Sequence, residues 1–134
     1  MLKSLLLIAF VTSGYLFTTQ DDLTASVKRG KEVYSTTCQS CHMATGEGIP
    51  GAFPPLAKSD FLMKDQKRAV GVVVHGLSGE VTVNGQTYNM VMPAQSHLTD
   101  EQIADVLNYV QNNFGNKAKV AVTPAQVAEV RKKK

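Results

Sequence analysis

Aromatic side chains are scarce in this sequence. It contains no tryptophan, and aromatic residues make up only 7% of its 134 positions. A chain of this length is suited to one domain with one core. Because so little aromatic volume is available, a large buried cofactor would help to fill that core.

The sequence also lacks a strong excess of charge. Its formal net charge is +3, and the last four residues, 131–134, are all basic. The remainder is therefore close to neutral, which predicts no binding to nucleic acid. Hydrophobic residues make up 43% of the chain, which is typical of a globular protein and excludes a disordered one.

No hydrophobic run is long enough for a clear membrane span. Lys3 precedes an apolar stretch from Leu5 to Phe17, which is the length of a signal-peptide core and shorter than the ~20 residues of a spanning helix. We therefore predict that residues 1–20 are a signal peptide, that the protein is exported to the periplasm, and that the folded domain covers residues 24–131. No Ala-x-Ala cleavage motif is present, so an uncleaved N-terminal anchor remains the alternative.

Cysteine is limited to two positions, Cys38 and Cys41, and His42 follows directly. A disulfide between these cysteines would close a very short loop and would constrain the unfolded chain little. A Cys-x-x-Cys-His sequence has another use, because each thiol can add to one vinyl group of a haem while the adjacent imidazole binds the iron. The motif therefore predicts one covalently attached haem c.

Two other interpretations of the cysteine pair are weaker. A dithiol redox motif would be expected within alternating strands and helices, which the sequence does not indicate. A structural zinc site needs about four ligands. His75 and His97 are single and distant in sequence, so we expect neither of them to bind a metal.

A methionine is the expected second axial ligand of an electron-transfer haem. Met92 is favoured because Pro93 follows it and holds its backbone extended. Met90, in the same loop, is the alternative. Met43 lies beside the motif histidine, and Met63 falls in an apolar turn typical of a core residue.

The hydrophobic pattern predicts several helices and one hairpin. Residues 18–24 are polar and predict a linker, and residues 38–56 form a loop rich in glycine and proline that is expected to wrap a bound group. Asn84-Gly85 indicates a tight turn between two short strands. The 72–74 run of valines is also compatible with a strand. The expected helices are Ala25–Thr37, a turn at Ser59–Lys64, Asp65–His75, Thr99–Asn112 and a short last helix starting at Pro124.

With these motifs in place, residues 24–115 resemble class I c-type cytochromes. The resemblance rests on Cys38-Gln39-Ser40-Cys41-His42, on Gly46 to Leu56, on Met92-Pro93-Ala94, and on Leu98 to Ala104. It implies an all-α class I cytochrome c fold, with about four to five helices around one haem and a short β-hairpin.

The resemblance also implies particular contacts. The first helix would place Gly30 and Tyr34 against Leu107 and Tyr109 of the long helix. The carbonyl group of Pro55 would accept a hydrogen bond from the other ring nitrogen of His42, which orients a ligand and makes it stronger. Leu56 would pack on the haem face. The cofactor-binding set is then Cys38, Cys41, His42, Met92, Pro55 and Leu56, with His42 and Met92 as iron ligands.

A narrower likeness involves the hairpin and the C-terminal region. Gly79 to Asn89, Phe114 to Lys117 and Val122 to Ala125 are similar to cytochrome domains joined to copper-containing nitrite reductases. They are also similar to small cytochromes that serve dehydrogenases and terminal oxidases. No copper domain is present in this sequence.

The expected function is that of a single-electron carrier, with no catalytic residue. We expect a monomer that binds redox proteins transiently, and the N-terminal segment is a candidate membrane tether. Two alternatives stay open: a fixed haem subunit of a membrane or periplasmic oxidoreductase, and a small haem peroxidase, which would need an open iron position. The Val127 face of the last helix is a candidate docking surface, unless it packs on its own domain.

Overall fold

The computed structural model describes residues 15–133, with side chains described from residue 22 onwards. Its first helix, α1, covers Tyr15–Val33. The prediction of a linker at residues 18–24 is therefore wrong. That stretch is polar, but it contains no glycine or proline to interrupt a helix, so it continues α1. The predicted leader, residues 1–20, lies largely outside the described residues.

The end of the first helix widens before the cysteine motif. A π-helical turn covers Tyr34–Cys38, and a single α-helical turn, α2, covers Gln39–His42. The predicted helix at Ala25–Thr37 is thus confirmed as helical, and the structure extends it in both directions.

Two short helices follow the glycine- and proline-rich loop. Helix α3 covers Asp60–Lys64 and α4 covers Gln66–His75, and both were predicted within a residue of these bounds. The side chain of Ser59 caps α3, and that of Asp65 caps α4. Because the valine run lies inside α4, its interpretation as a strand is wrong.

The predicted hairpin is present. Strand β1, Val81–Val83, pairs antiparallel with β2, Gln86–Tyr88. Asn84 and Gly85 have φ angles of 49° and 77°, as a two-residue turn with both residues in the left-handed region requires.

The long helix α5, Asp100–Gln111, forms the centre of the core, and the last helix α6 covers Pro124–Lys132. Thr99 caps α5 in the predicted capping box. Val127 of α6 is fully buried within the hydrophobic core. The suggestion that its face docks a partner is therefore wrong, since this face packs on its own domain.

Helix α1 packs on α5 at Gly30. A Cβ atom at this position would overlap the backbone of Asp105 and lie 2.9 Å from the Cβ of Tyr109. The expected contact with Tyr109 is confirmed, but Asp105 takes the place expected for Leu107. Positions 105 and 109 share one face of a helix, whereas position 107 points to the other side.

None of the helices in the described part of the chain combines the length and apolar character needed to cross a bilayer.

Candidate haem-binding site

An apolar cleft, hereafter the haem cleft, opens between the helices and the hairpin. Its empty volume, together with the adjoining open solvent, is about 1070 Å³. Both cysteines, His42 and Met92 line it together. The rest of its wall is almost entirely hydrophobic and includes Phe53, Leu56, Phe61, Leu62, Val72, Val73, Val106, Leu107 and Val110.

The cysteines lie one helical turn apart on the cleft wall. Cys38 ends the π-helical turn and Cys41 lies in α2, and both are free thiols. Burial raises the pKa of the Cys38 thiol to about 11, with a smaller contribution from Cys41. The thiols are thus held side by side and are not paired in a disulfide.

The turn that carries the cysteines is anchored by aromatic packing. The Tyr34 hydroxyl donates a hydrogen bond to the carbonyl of Met43 at 2.6 Å, which ties the start of the motif segment to its end. The Tyr34 ring packs against Tyr109 and Phe114 with centroids 5.4 and 5.3 Å apart. This cluster connects the motif to α5.

His42 is buried and held by one hydrogen bond. Its Nδ1 lies 2.9 Å from the carbonyl oxygen of Pro54. Because a carbonyl can only accept, Nδ1 carries the proton, and in the neutral ring Nε2 keeps its lone pair. Burial lowers the pKa of His42, against an opposing effect of the Pro54 bond, so the neutral form is favoured. An imidazole in this state is able to bind a metal through Nε2.

The predicted acceptor for His42 was Pro55, and this prediction is wrong by one residue. The amides of Leu56 and Ala57 both bind the carbonyl of Gly46, at 2.7 and 2.9 Å, and this holds the loop in its register. Gly48 allows the loop to close, since a Cβ atom there would lie 2.8 Å from the Pro54 oxygen. The sequence contains two successive prolines, and nothing in it indicates which carbonyl reaches the ring.

Backbone hydrogen bonds hold Met92 at the edge of the cleft. Its amide and carbonyl exchange two hydrogen bonds of 2.9 Å with Leu77. Gly76 is needed beside it, because a Cβ atom there would lie 2.7 Å from the Met92 oxygen. The amide of Gln95 binds the carbonyl of Val73 at 2.9 Å, which attaches the following residues to α4.

The other methionines differ from Met92 in their surroundings. Met90 lines the cleft but is 56% exposed. Met63 packs against the hydrophobic core, as predicted, and does not line the cleft. Met43 does not line the cleft either, and its carbonyl is occupied by Tyr34.

The two remaining histidines lie away from the cleft wall. His75 places Nε2 3.1 Å from the carbonyl oxygen of Val130, at the contact between α4 and α6. His97 is exposed. Among the described residues, no group of three or more His, Cys, Asp and Glu side chains gathers as a metal site would require.

These residues fit a covalently held haem. Two thiols, a neutral imidazole and a thioether sulfur line one apolar cleft, and these are the groups that attach and ligate such a cofactor. The bound haem supplies the one-electron redox chemistry, while the protein supplies position and a low-dielectric environment.

Comparison with known proteins agrees with this geometry. The family model "Cytochrome c" matches residues 27–114. The chain belongs to the cytochrome c family. It has the class I fold, it is a haem protein that carries electrons, and its haem c is attached through its two cysteines.

Relatives of this cytochrome fall into two groups. The cytochrome c-552 of Thermus thermophilus is 39% identical over 131 residues, which cover 94% of this chain and 83% of the relative. The cytochrome c subunit of the quinone alcohol dehydrogenase of Gluconobacter oxydans is 32% identical over 76% of this chain, but that match covers 22% of the subunit. The cytochrome c subunit of gluconate 2-dehydrogenase from Pantoea cypripedii is also 32% identical, over 28% of its length.

Proposed function

We propose that this cytochrome carries single electrons between redox proteins outside the cytoplasm. In this proposal Cys38 and Cys41 form the two thioether links, and His42 and Met92 bind the iron. The main observation in its support is that Met92 lines the same apolar cleft as the Cys38–His42 motif, although it lies 50 positions further along the chain. Pro55 and Leu56 also line that cleft and would pack on the haem.

The assignment of Met92 as a ligand is supported by how its backbone is held. The two hydrogen bonds to Leu77 fix the backbone of Met92, and therefore the position of its Cα atom, at the edge of the cleft. No backbone hydrogen bond is found for Met90 in the described structure. A thioether ligand raises the reduction potential and fills the coordination position that a peroxidase would need open. We therefore propose that the protein is not an enzyme.

The test uses the haem-loaded protein from a host that attaches haem c. We expect the intact mass to exceed that of the mature polypeptide by one haem, and the ferric form to show the long-wavelength charge-transfer band of methionine ligation. Met92→Ala should abolish this band and lower the reduction potential, whereas Met90→Ala should retain both.

Two results would contradict this proposal. A colourless protein with two reactive thiols would exclude haem attachment. Loss of the band in Met90→Ala but not in Met92→Ala would transfer the ligand role to Met90.

A second role is favoured by the dehydrogenase relatives. Their matched parts belong to cytochrome subunits several times longer than this chain, so a fixed place in a dehydrogenase complex is the alternative to a free carrier. A free carrier should be recovered as a monomer that binds its partners transiently. Recovery in a stable complex with a dehydrogenase would favour the fixed role.

A further inference from the structure

The hairpin belongs to a larger unit that covers part of the haem cleft. This unit, hereafter the flap, comprises residues 77–92. Its base is closed by the two hydrogen bonds between Leu77 and Met92. Val83 and Tyr88, one on each strand, are buried and line the cleft. The flap therefore carries both a cleft wall and the proposed iron ligand.

The tip of the flap is attached to α3 by a reciprocal pair of hydrogen bonds. The amide of Asp60 donates to Oδ1 of Asn84 at 3.0 Å. The amide of Asn84 donates to Oδ1 of Asp60 at 2.8 Å. Each residue thus donates from its backbone amide and accepts with its side-chain oxygen, although the two residues are 24 positions apart in sequence.

Further contacts hold the start of helix α3, to which the tip of the flap is attached. Oδ1 of Asp60 also accepts from the amide of Phe61 at 2.6 Å. The guanidinium group of Arg68, from α4, lies 3.9 Å from the centroid of the Phe61 ring, and it donates to the Phe61 carbonyl at 2.5 Å. Since Phe61 itself lines the cleft, the tip of the flap is attached directly beside a residue of the cleft wall.

We propose that Asp60 and Asn84 form a latch that keeps the flap closed over the haem cleft, and that both are positioning residues for Met92. This inference rests on the proposed role of Met92. The hydrogen bonds that attach the flap lie at its base and at its tip, in addition to the packing of the buried Val83 and Tyr88. Release of the tip leaves the flap with the base hydrogen bonds and this packing alone. Opening admits water to the apolar cleft and weakens the hold on the sulfur ligand.

The test compares variants of the haem-loaded protein. Asn84→Gly removes the acceptor but keeps the turn, because glycine readily adopts the positive φ of 49° found there. Asp60→Ala removes the acceptor on the other side. Thr82→Ala is the control, since Thr82 is an exposed hairpin residue for which no side-chain hydrogen bond is found in the described structure.

Imidazole is the probe, because it displaces a methionine ligand only when the sulfur leaves. We expect Asn84→Gly and Asp60→Ala each to increase the rate of imidazole binding to the ferric protein by about fivefold, as loss of hydrogen bonds of ordinary strength predicts. The double variant should gain little beyond either single one, because both remove the same latch. The reduction potential should fall in both, and Thr82→Ala should match the unmodified protein.

Amide exchange measures the latch directly. The amides of β1 and β2 should exchange faster in Asn84→Gly than in Thr82→Ala. Unchanged exchange and unchanged imidazole binding in a protein that shows the methionine band would overturn the latch and leave the electron-carrier proposal intact. Absence of that band in the unmodified protein would overturn both the ligand role of Met92 and its positioning by the latch.

Discussion

Gly30 of α1 lies directly on the backbone of Asp105 of α5. No side chain fits between them, because a Cβ atom at residue 30 would overlap the Asp105 carbonyl. This close approach brings the first helix, which leads to the cysteine motif, onto the central helix of the core. The glycine costs helix stability by itself, but it makes the helix contact possible.

Gly30→Ala should destabilise the haem-loaded protein by about 2 kcal/mol or more, since the helices would have to separate. The matched control is Gly71→Ala in α4, where a new Cβ would meet only Val130 at 3.9 Å. That substitution should stabilise by up to about 1 kcal/mol, because alanine is the better helix former. Denaturant unfolding measures both. Equal stability of the two variants would refute the close-contact explanation.

A buried carboxylate reinforces the same helix contact. Asp105 is only 4% exposed and accepts hydrogen bonds from Ser26 at 2.6 Å and from Arg29 at 2.7 and 2.9 Å. Asn108 extends this network by donating to Ser26 and to the carbonyl of Val122. The network joins α1, α5 and the segment before α6.

Asp105→Ala should lower the free energy of unfolding by about 1–3 kcal/mol, because the buried Ser26 hydroxyl and the half-exposed Arg29 guanidinium lose their acceptor. Glu101→Ala is the control. Glu101 also pairs with Arg29, at 3.6 Å, but its side chain is 67% exposed, so its loss should cost under about 1 kcal/mol. Chemical denaturation at low and high salt measures the free energy of unfolding of both variants. A cost for Glu101→Ala as large as that for Asp105→Ala would show that the buried network is not the stabilising feature.

Tyr34 should make stability fall at alkaline pH. Burial raises its pKa well above the ordinary value, so the folded state binds this proton more tightly than the unfolded state. The contribution is fully present below about pH 10, the ordinary tyrosine pKa, and is lost as pH rises beyond it.

Tyr34→Phe tests this prediction. It should cost about 1 kcal/mol at neutral pH through loss of the bond to Met43, and its stability should decline less steeply above about pH 10. Melting temperatures from neutral to alkaline pH measure both effects. Parallel declines in the two proteins would mean that other groups cause the alkaline loss.

Several features were predictable from the sequence because they depend on local patterns. The cysteine motif, the turn at Asn84-Gly85 and the capping box at Thr99 each lie within a few consecutive residues, so spacing alone indicates their chemistry. The prediction of a linker at residues 18–24 failed because a polar stretch without glycine or proline can continue a helix. The narrower likeness to nitrite-reductase-associated domains stays a prediction.

The sequence by itself determined the haem-attachment motif, most helix limits and the hairpin, because these follow from side-chain chemistry and from contacts between neighbours along the chain. Only the tertiary structure decided that Pro54 rather than Pro55 meets His42, that Asp105 lies under Gly30, and that Asp60 holds Asn84. The two residues of each pair are 12 to 75 positions apart in the sequence. Their contacts depend on how the loops and helices pack in three dimensions, which no pattern of neighbouring residues indicates.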